Sequence, residues 1–407
     1  MNNLIRQHLA AFGGDRRSVP PAYFFDVDEI VRRFAELHRS LPDNFELAYS
    51  LKANSEKPIV DSVAHAGSSA LFDVSSLHEL NVTCEAGVAP SRIVFTGPGK
   101  TRDELHAAVE RDIGFIVCES IQEIEAVNGI SRSMGKRSSV LIRINPDDVD
   151  VKVERQFSGD RSHFGISQQD AEHIASRLDA WPWVDIQGLH FYVGSRNLDA
   201  ANIAENFFTF ARIFNAINEA FGRRLTTLDL GGGFGVPYFP GESPLDLGQL
   251  ARSLASFDGI WPTRVLVESG RFISASAGTY LCQVLYTKRV KDRHVAIVNG
   301  GLTSFYLPSD NIPAAHGSSL RNFGITAVGD DQTPIQGTLR EYDIYGNAPT
   351  SSDVLALAAP LPELKPGSLL KIANAGAYGI TASLNNFLGR GKPHAYYFGM
   401  QNFKKGT

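Results

Sequence analysis

The chain has 407 residues, 43% hydrophobic and 20% charged, and its 39 basic and 44 acidic side chains leave a formal net charge of -5. That length and balance allow one large core and a smaller second one, and exclude the basic footprint of a nucleic-acid-binding surface. No run approaches the ~20 apolar residues of a membrane span, no signal-peptide core follows the amino terminus, and Cys84, Cys118 and Cys282 have neither metal-ligand nor disulfide spacing, so a cytoplasmic protein without a metal is expected.

In chain order, a short polar start leads to Ala22–Asp26, an apolar run too isolated to found a domain and expected to join a sheet formed elsewhere. Asp28–Ser40 has helical spacing through Ile30, Val31, Phe34 and Leu37. A Leu41-Pro-Asp-Asn turn then introduces the first strand of a series, Phe45–Ser50. Read with a period of two, Phe45, Leu47 and Tyr49 fall on one face and Ala48, Ser50 and Lys52 on the other, with small side chains beneath the amine. A partly buried lysine can supply the neutral amine that forms a Schiff base with an aldehyde. A surface lysine closing a strand would look the same in this segment alone, so the reading depends on the rest of the chain.

Further strands are predicted at Leu71–Ser75, Arg92–Thr96, Gly114–Cys118, Val140–Ile144, Asp185–Tyr192, Thr226–Leu230 and Arg264–Val267. The intervals hold helices at Leu77–Glu85, Arg102–Glu110, Ile121–Val127, Gln168–Leu178, Ala201–Ala220 and Leu247–Phe257. Repeated strand–helix units predict an α/β architecture, a closed (β/α)8 TIM-like barrel over residues 27–272, in preference to an open doubly wound sheet. Polar residues recur at the carboxyl ends of these strands: Lys52 and Asn54, Asp73 and Ser75, Glu119, Arg143 and Asn145, His190 with Tyr192 and Ser195, and Glu268 with Arg271. Barrel enzymes build their sites at that rim, and capping alone does not explain the recurrence. Beyond Arg271 the rhythm shortens. Tyr280–Val290, His294–Val298, Gln336–Tyr342 and Ser368–Ile372 predict a second, all-β domain of residues 273–407 joined by residues 1–26, with Pro308–Gly329 as loop.

Leu228-Asp-Leu-Gly231-Gly-Gly-Phe-Gly235 puts glycines directly after a strand, where bare backbone N–H groups can close around a phosphate. A dinucleotide fold would place its glycines early, with an acid about twenty residues on, so this late run reads as a phosphate cup. Val267-Glu268-Ser-Gly270-Arg271 adds a guanidinium for the same phosphate and a carboxylate able to hold a proton on a ring nitrogen, although a local Glu268–Arg271 ion pair is the plainer reading. A lysine, a phosphate cup and a carboxylate for a pyridine nitrogen are what pyridoxal 5'-phosphate needs, since its ring is an electron sink only while that nitrogen stays protonated.

Several motifs run in one order from about Pro21 to Gly389: Tyr49-Ser-Leu-Lys52-Ala-Asn, Phe72-Asp-Val-Ser-Ser-Leu-His-Glu79, Phe95-Thr-Gly-Pro-Gly-Lys100, Leu141-Ile-Arg-Ile-Asn-Pro146, His163-Phe-Gly-Ile166, Gly188-Leu-His-Phe-Tyr-Val-Gly-Ser195, Gly231–Gly235, Glu268–Arg271 and Asn374-Ala-Gly-Ala-Tyr378. On these the chain resembles the barrel-type (fold type III) pyridoxal-phosphate amino-acid decarboxylases, the ornithine/diaminopimelate decarboxylase family. The resemblance implies that Lys52 carries the cofactor as a Schiff base. It implies that Gly231, Gly232, Gly233, Ser195, Gly270, Arg271 and Tyr378 bind the phosphate, that Glu268 faces the pyridine nitrogen, and that Asp73 and Arg143 sit near the reacting end. It also implies a homodimer whose active sites are each completed by a loop of the partner's β-domain.

Departures from the family pattern bear on catalysis and substrate. The family usually stacks a second histidine on the cofactor ring, where this chain has Tyr192, leaving His190 a polar role on the same strand face. In Gly346-Asn-Ala-Pro349-Thr-Ser351-Ser-Asp353, Ser351 and Asp353 match, but Pro349 replaces the cysteine expected to return a proton to Cα. Tyr192, Ser351 and His190 are the candidate replacements. Thr350 stands where diamine-forming relatives have an acid, and Asn299–Tyr306 lacks the Arg-Pro-x-x-Tyr element of diaminopimelate decarboxylases. The chain looks most like the branch serving siderophore and other specialised pathways, whose substrates are amino acids with larger or acylated side chains. Arg161, His163 and Arg196 could meet a distal carboxylate. Racemisation or epimerisation, decarboxylation coupled to transamination, and a non-catalytic regulatory homologue are the alternatives, and the intact set of cofactor residues argues against the last.

Overall fold

The computed structural model describes residues 1–12, 19–66, 69–146, 155–156, 162–192, 194–257, 259–307 and 322–399. The chain divides into two compact units, one of Val31–Val236 with Pro244–Phe272, the other of Met1–Ile30, Pro237–Ser243 and Ile273–Thr407.

In the first unit the strands Thr227–Asp229, Arg264–Ser269, Phe45–Ser50, Leu71–Val74, Ile93–Phe95, Phe115–Cys118, Ser138–Arg143 and Val184–His190 pair in that order and close on themselves, every pairing parallel. The barrel expected from the strand–helix repeat is therefore present. Ala48, Leu71, Val94, Phe115, Val117, Leu141 and Leu266 form one buried cluster drawn from strands all around the barrel, so they mark its inward-facing positions. Two residues further along the same strands stand Ser50, Asp73, Thr96, Glu119, Arg143 and Glu268. Successive side chains alternate between faces, so these polar residues point inward one layer nearer the carboxyl end. The strand alternation that fills the core with apolar groups thus also builds its polar mouth.

The helices begin where the rim loops end. Ser76, Thr101, Ser120, Ser167, Asp199 and Asp246 each accept a backbone N–H of the following first turn, a cap worth about 1 kcal/mol apiece. Lys57–Ala66 is a helix that the spacing analysis left unassigned. Pro58 signals a break to a sequence reading, yet in the first turn its missing N–H costs nothing. Ile121–Met134 runs past the expected Val127 until Gly135 ends it at φ 64.

In the second unit Ile325–Val328, Leu369–Ile372, Gly278–Val290, Arg293–Val298, Arg340–Tyr345 and Val354–Leu361 pair in that order, and Ala22–Asp26 pairs with both Gly278–Val290 and His394–Phe398. A separate sheet unit follows the barrel, as expected, and its strands Val354–Leu361 and His394–Phe398 add to those predicted. Asn2–Ala11 is a helix, its Ile5 packed among Ala22, Phe24, Leu281, Val328 and Leu369. Ile325–Val328, inside the expected loop, is a strand because four residues between Gly324 and Gly329 find an open edge on Leu369–Ile372; residues 308–321 of that loop lie outside the described residues. The strand expected at Gln336–Tyr342 begins only at Arg340. Among the described residues, no helix is long and apolar enough to cross a membrane.

Candidate active site at the barrel mouth

Lys52 lies one turn past its strand, in the short 3-10 helix Leu51–Ala53. Its Nζ donates to Asp73 Oδ2 at 2.8 Å and stands 3.6 Å from Glu268 Oε2. Asp73 Oδ1 accepts from Thr96 Oγ1 at 2.6 Å, and Thr96 Oγ1 is 3.1 Å from Ser75 Oγ. Burial and the neighbouring Glu268 push the Asp73 carboxyl up, while Lys52 and Thr96 pull it back. Burial also acts to raise Glu268, but Lys52, His190 and Arg143 together outweigh it and bring that carboxyl down to about 2. Glu268 is therefore a buried carboxylate held ionised by its surroundings. Its Oε1 lies 3.3 Å from His190 Nε2, off the line of a hydrogen bond.

Across the mouth, Arg143 Nη1 donates to Glu119 Oε1 at 2.9 Å, and Glu119 Oε2 accepts the Gly165 N–H at 3.0 Å. The guanidinium carbon sits 4.3 Å from the Phe164 ring centroid and 6.0 Å from that of Tyr192, whose ring is also 5.9 Å from Lys52 Nζ. A second layer fixes the rim. Glu79 accepts from Ser75 N, and Glu123 from Glu119 N, each at 2.7 Å, so a first-turn glutamate reaches back four residues to hold the preceding loop. Burial raises Glu79 to about 7 despite that bond.

The glycine run closes tightly on neighbouring backbone. Gly231 has φ +59, and a Cβ there would lie 2.5 Å from Phe191 O. Its N–H donates to Asp229 Oδ1 at 2.9 Å, and its carbonyl accepts the Glu268 N–H at 2.7 Å. Arg271 Nε points at Ser195 Oγ, 3.4 Å away. Gly231→Ala must displace Phe191 O and the Tyr192 side chain and adopt an unfavourable φ. It is expected to cost roughly 3 kcal/mol and lower Tm by about 5–10 °C, measured by calorimetry on the purified variant.

The sequence model of the family described as "Pyridoxal-dependent decarboxylase, pyridoxal binding domain" matches residues 27–275. The chain belongs to the pyridoxal-dependent decarboxylases. It is 30% identical over 93% of its length, and 88% of the other's, to the L-glutamyl-[BtrI acyl-carrier protein] decarboxylase of Niallia circulans. It is 27% identical over 92% and 93% to the 2-[(L-alanin-3-ylcarbamoyl)methyl]-2-hydroxybutanedioate decarboxylase of Staphylococcus aureus. Among solved structures, diaminopimelate decarboxylase from Helicobacter pylori, complexed with L-lysine, superposes with a TM-score of 0.81 at 28% identity, covering 93% of this chain and 91% of that one. The protein is thus a carboxy-lyase of amino-acid substrates, and pyridoxal phosphate is its cofactor.

The barrel mouth of this pyridoxal-dependent decarboxylase fits that group. Glu268 Oε1 is a buried acceptor without a hydrogen bond, facing a mouth that also holds a lysine amine. The glycine turn admits no side chain, and the adjacent Ser195 and Arg271 are suited to a phosphate.

Of the residues singled out in the sequence, Lys52, Asp73, Arg143, His190, Tyr192, Ser195, Gly231–Gly233, Glu268, Gly270 and Arg271 all belong to the barrel unit. Arg196 is buried, at φ +66, and His163 is exposed against Phe164. Arg161 lies outside the described residues. Ser351, Asp353 and Tyr378 belong to the sheet unit. There Ser351 is exposed, Tyr378 has φ +60, and the buried Asp353 accepts from Leu302 N at 2.7 Å and Ala348 N at 2.8 Å, bracing the loop that carries the exposed Pro349. Sequence reasoning assigned no role to Thr96, Glu79 or Asp229. Asp229 was open to discovery, since it stands on the same strand face as Thr227, two residues before Gly231.

Proposed function

We propose that the protein decarboxylates an amino acid presented as a larger or acylated conjugate, in specialised or siderophore-type metabolism, with Lys52 as the amine that carries pyridoxal phosphate. The observation that carries this reading is Lys52 Nζ lying between Asp73 and the ionised Glu268 at the mouth of the barrel. Bound there, the cofactor supplies a sink for the electron pair left on Cα when carbon dioxide departs. Asp73, itself held by Thr96, positions the lysine amine. Glu268 keeps a proton on the ring nitrogen. The N–H groups of the Gly231–Gly233 turn, with Ser195, Gly270 and Arg271, bind the phosphate. Tyr192 offers an aromatic face, and Arg143, braced by Glu119 and Phe164, fixes the positive charge at the reacting end. Ser351, Asp353 and Tyr378 are assigned to the site by motif alone.

The two conjugate-specific names among the relatives support the substrate class, as do Thr350 and the Asn299–Tyr306 segment, which lack the elements that free diamino acids require. Arg196 and His163 remain the candidates for a distal carboxylate. Borohydride reduction and peptide mapping are expected to label Lys52, and carbon dioxide release is expected from a glutamyl-carrier-protein thioester or an acylated diaminopropionate, with little from ornithine, lysine or diaminopimelate. A label on another lysine, or preferred turnover of a free diamino acid, would refute the respective half of the reading.

Proline at 349 has no proton to give, so the proton reaching Cα comes from Tyr192, Ser351, His190 or water. Stereospecific deuterium incorporation that becomes random in one substituted variant identifies the donor. A homodimer is the proposed assembly. Leu384, Phe387 and Leu388, exposed by 48%, 41% and 51% on one turn of the sheet unit, support it, and sedimentation at the mass of one chain would refute it. A cytoplasmic location fits the three free thiols.

A further inference from the structure

His190 (2% exposed), Asp229 (0%) and Glu268 (4%) come from three neighbouring barrel strands. One atom of each lies within 4.8 Å of those of the other two. Asp229 Oδ1 accepts the Gly231 N–H, but Asp229 Oδ2, Glu268 Oε1 and both ring nitrogens of His190 are buried without a hydrogen bond. Two carboxylates so close in a buried site cannot both ionise cheaply, so the carboxyl pair retains a proton.

The partners decide which carboxyl retains it. Glu268 has Lys52 Nζ at 3.6 Å and His190 Nε2 at 3.3 Å, both able to carry positive charge. Asp229 has one neutral amide as its hydrogen-bond partner, and the titratable groups it faces are Glu268, His190 and Asp73, two of them acids. We propose that Asp229 is a positioning residue for Glu268, standing as the neutral acid beside His190, so that the negative charge of the trio stays on Glu268. The inference rests on the reading that Glu268 faces the cofactor's ring nitrogen, and it extends that reading to the group that confines charge to Glu268. The electrostatics agree in sign: burial, then Glu268, push Asp229 up to about 7.

A folded-state value above the ordinary one makes the group's contribution to stability complete below about pH 4 and lost as pH rises through about 7. Wild type, Asp229→Asn and His190→Gln are compared by infrared difference spectroscopy and thermal melting, with and without cofactor, from about pH 5 to about pH 8. Wild type is expected to show a protonated-carboxyl band at the acid end that disappears at the alkaline end, is missing in Asp229→Asn and is displaced in His190→Gln. The melting temperature of wild type is expected to fall progressively below that of Asp229→Asn between about pH 5 and about pH 8, ending a few degrees lower. A band that persists in Asp229→Asn, or melting curves that stay parallel throughout, would overturn the proposal. So would stoichiometric Zn²⁺ uptake by cofactor-free protein that Asp229→Asn abolishes, which would make the trio a metal site. If Asp229→Asn does not fold, the displaced band in His190→Gln decides. Because the band reports a protein carboxyl with or without cofactor, its failure is distinguishable from a failure of Lys52 to carry pyridoxal phosphate.

Discussion

On the proposed role of Lys52 as the amine that carries the cofactor and exchanges with the substrate's own amine, Lys52→Ala is expected to lower decarboxylation by roughly 10⁴-fold or more. The electrostatic consequence is as specific as the kinetic one. Lys52 Nζ is 2.8 Å from Asp73 and 3.6 Å from Glu268, both buried, and it is a cation that holds each acid's carboxyl down. Without it Asp73, already raised by burial and by Glu268, rises further. A carboxyl whose folded-state value exceeds its unfolded value stabilises the protein at low pH, and that contribution disappears as pH rises through the folded value. The alanine variant is therefore expected to lose thermal stability relative to wild type on going from acid to neutral pH, in cofactor-free protein where chemistry plays no part. Measuring carbon dioxide release and melting temperature on the same preparations separates the two effects. Substantial turnover by the variant, or melting that tracks wild type at every pH, would show that Lys52 is a peripheral lysine.

Glu268→Gln is expected to keep the cofactor and lose at least ~100-fold in kcat, about 2.7 kcal/mol of transition-state stabilisation. The proposed phosphate ligands, the Gly231–Gly233 turn and Arg271, remain, so binding is expected to persist. What changes is the charge at the position proposed to face the ring nitrogen. An ionised Glu268 retains a proton there, whereas a neutral amide has no charge with which to do so. The wild-type carboxyl is brought down to about 2, so it stays ionised over the working range, and the variant's defect is expected to be the same from acid to mildly alkaline pH. Cofactor content by absorbance and kcat across that range test the claim together. Unchanged kcat in cofactor-loaded Glu268→Gln would reduce Glu268 to a structural partner of Lys52 and His190.

The strand–helix repeat, and with it the barrel, is legible in the linear chain. Each strand announces itself through a short apolar run and each helix through its periodicity and cap, and both are local properties. The sequence also placed Arg143 and Glu268 at strand ends, because a period of two fixes which side chains share a face, and Lys52 and Arg271 just beyond such ends. Local rules reached less far where an element is short or depends on a distant edge. Lys57–Ala66 was hidden by Pro58, and Ile325–Val328 exists only because Leu369–Ile372 offers it hydrogen bonds.

Which inward-facing positions stand level with one another is set by the closed barrel and not by any one strand. Asp73 meets Lys52 and Thr96, Arg143 meets Glu119, and Asp229 meets His190 and Glu268 because the register between parallel strands is set by hydrogen bonds around the whole closed barrel. That register puts Asp73, Asp229, Glu268 and Glu119 around one mouth with Lys52, and so divides Glu268, brought down to about 2, from Asp229, pushed up to about 7. The alternation along a single strand tells on which face an acid lies. The charge it carries depends on neighbours that the chain brings there from other strands and on the water that burial removes.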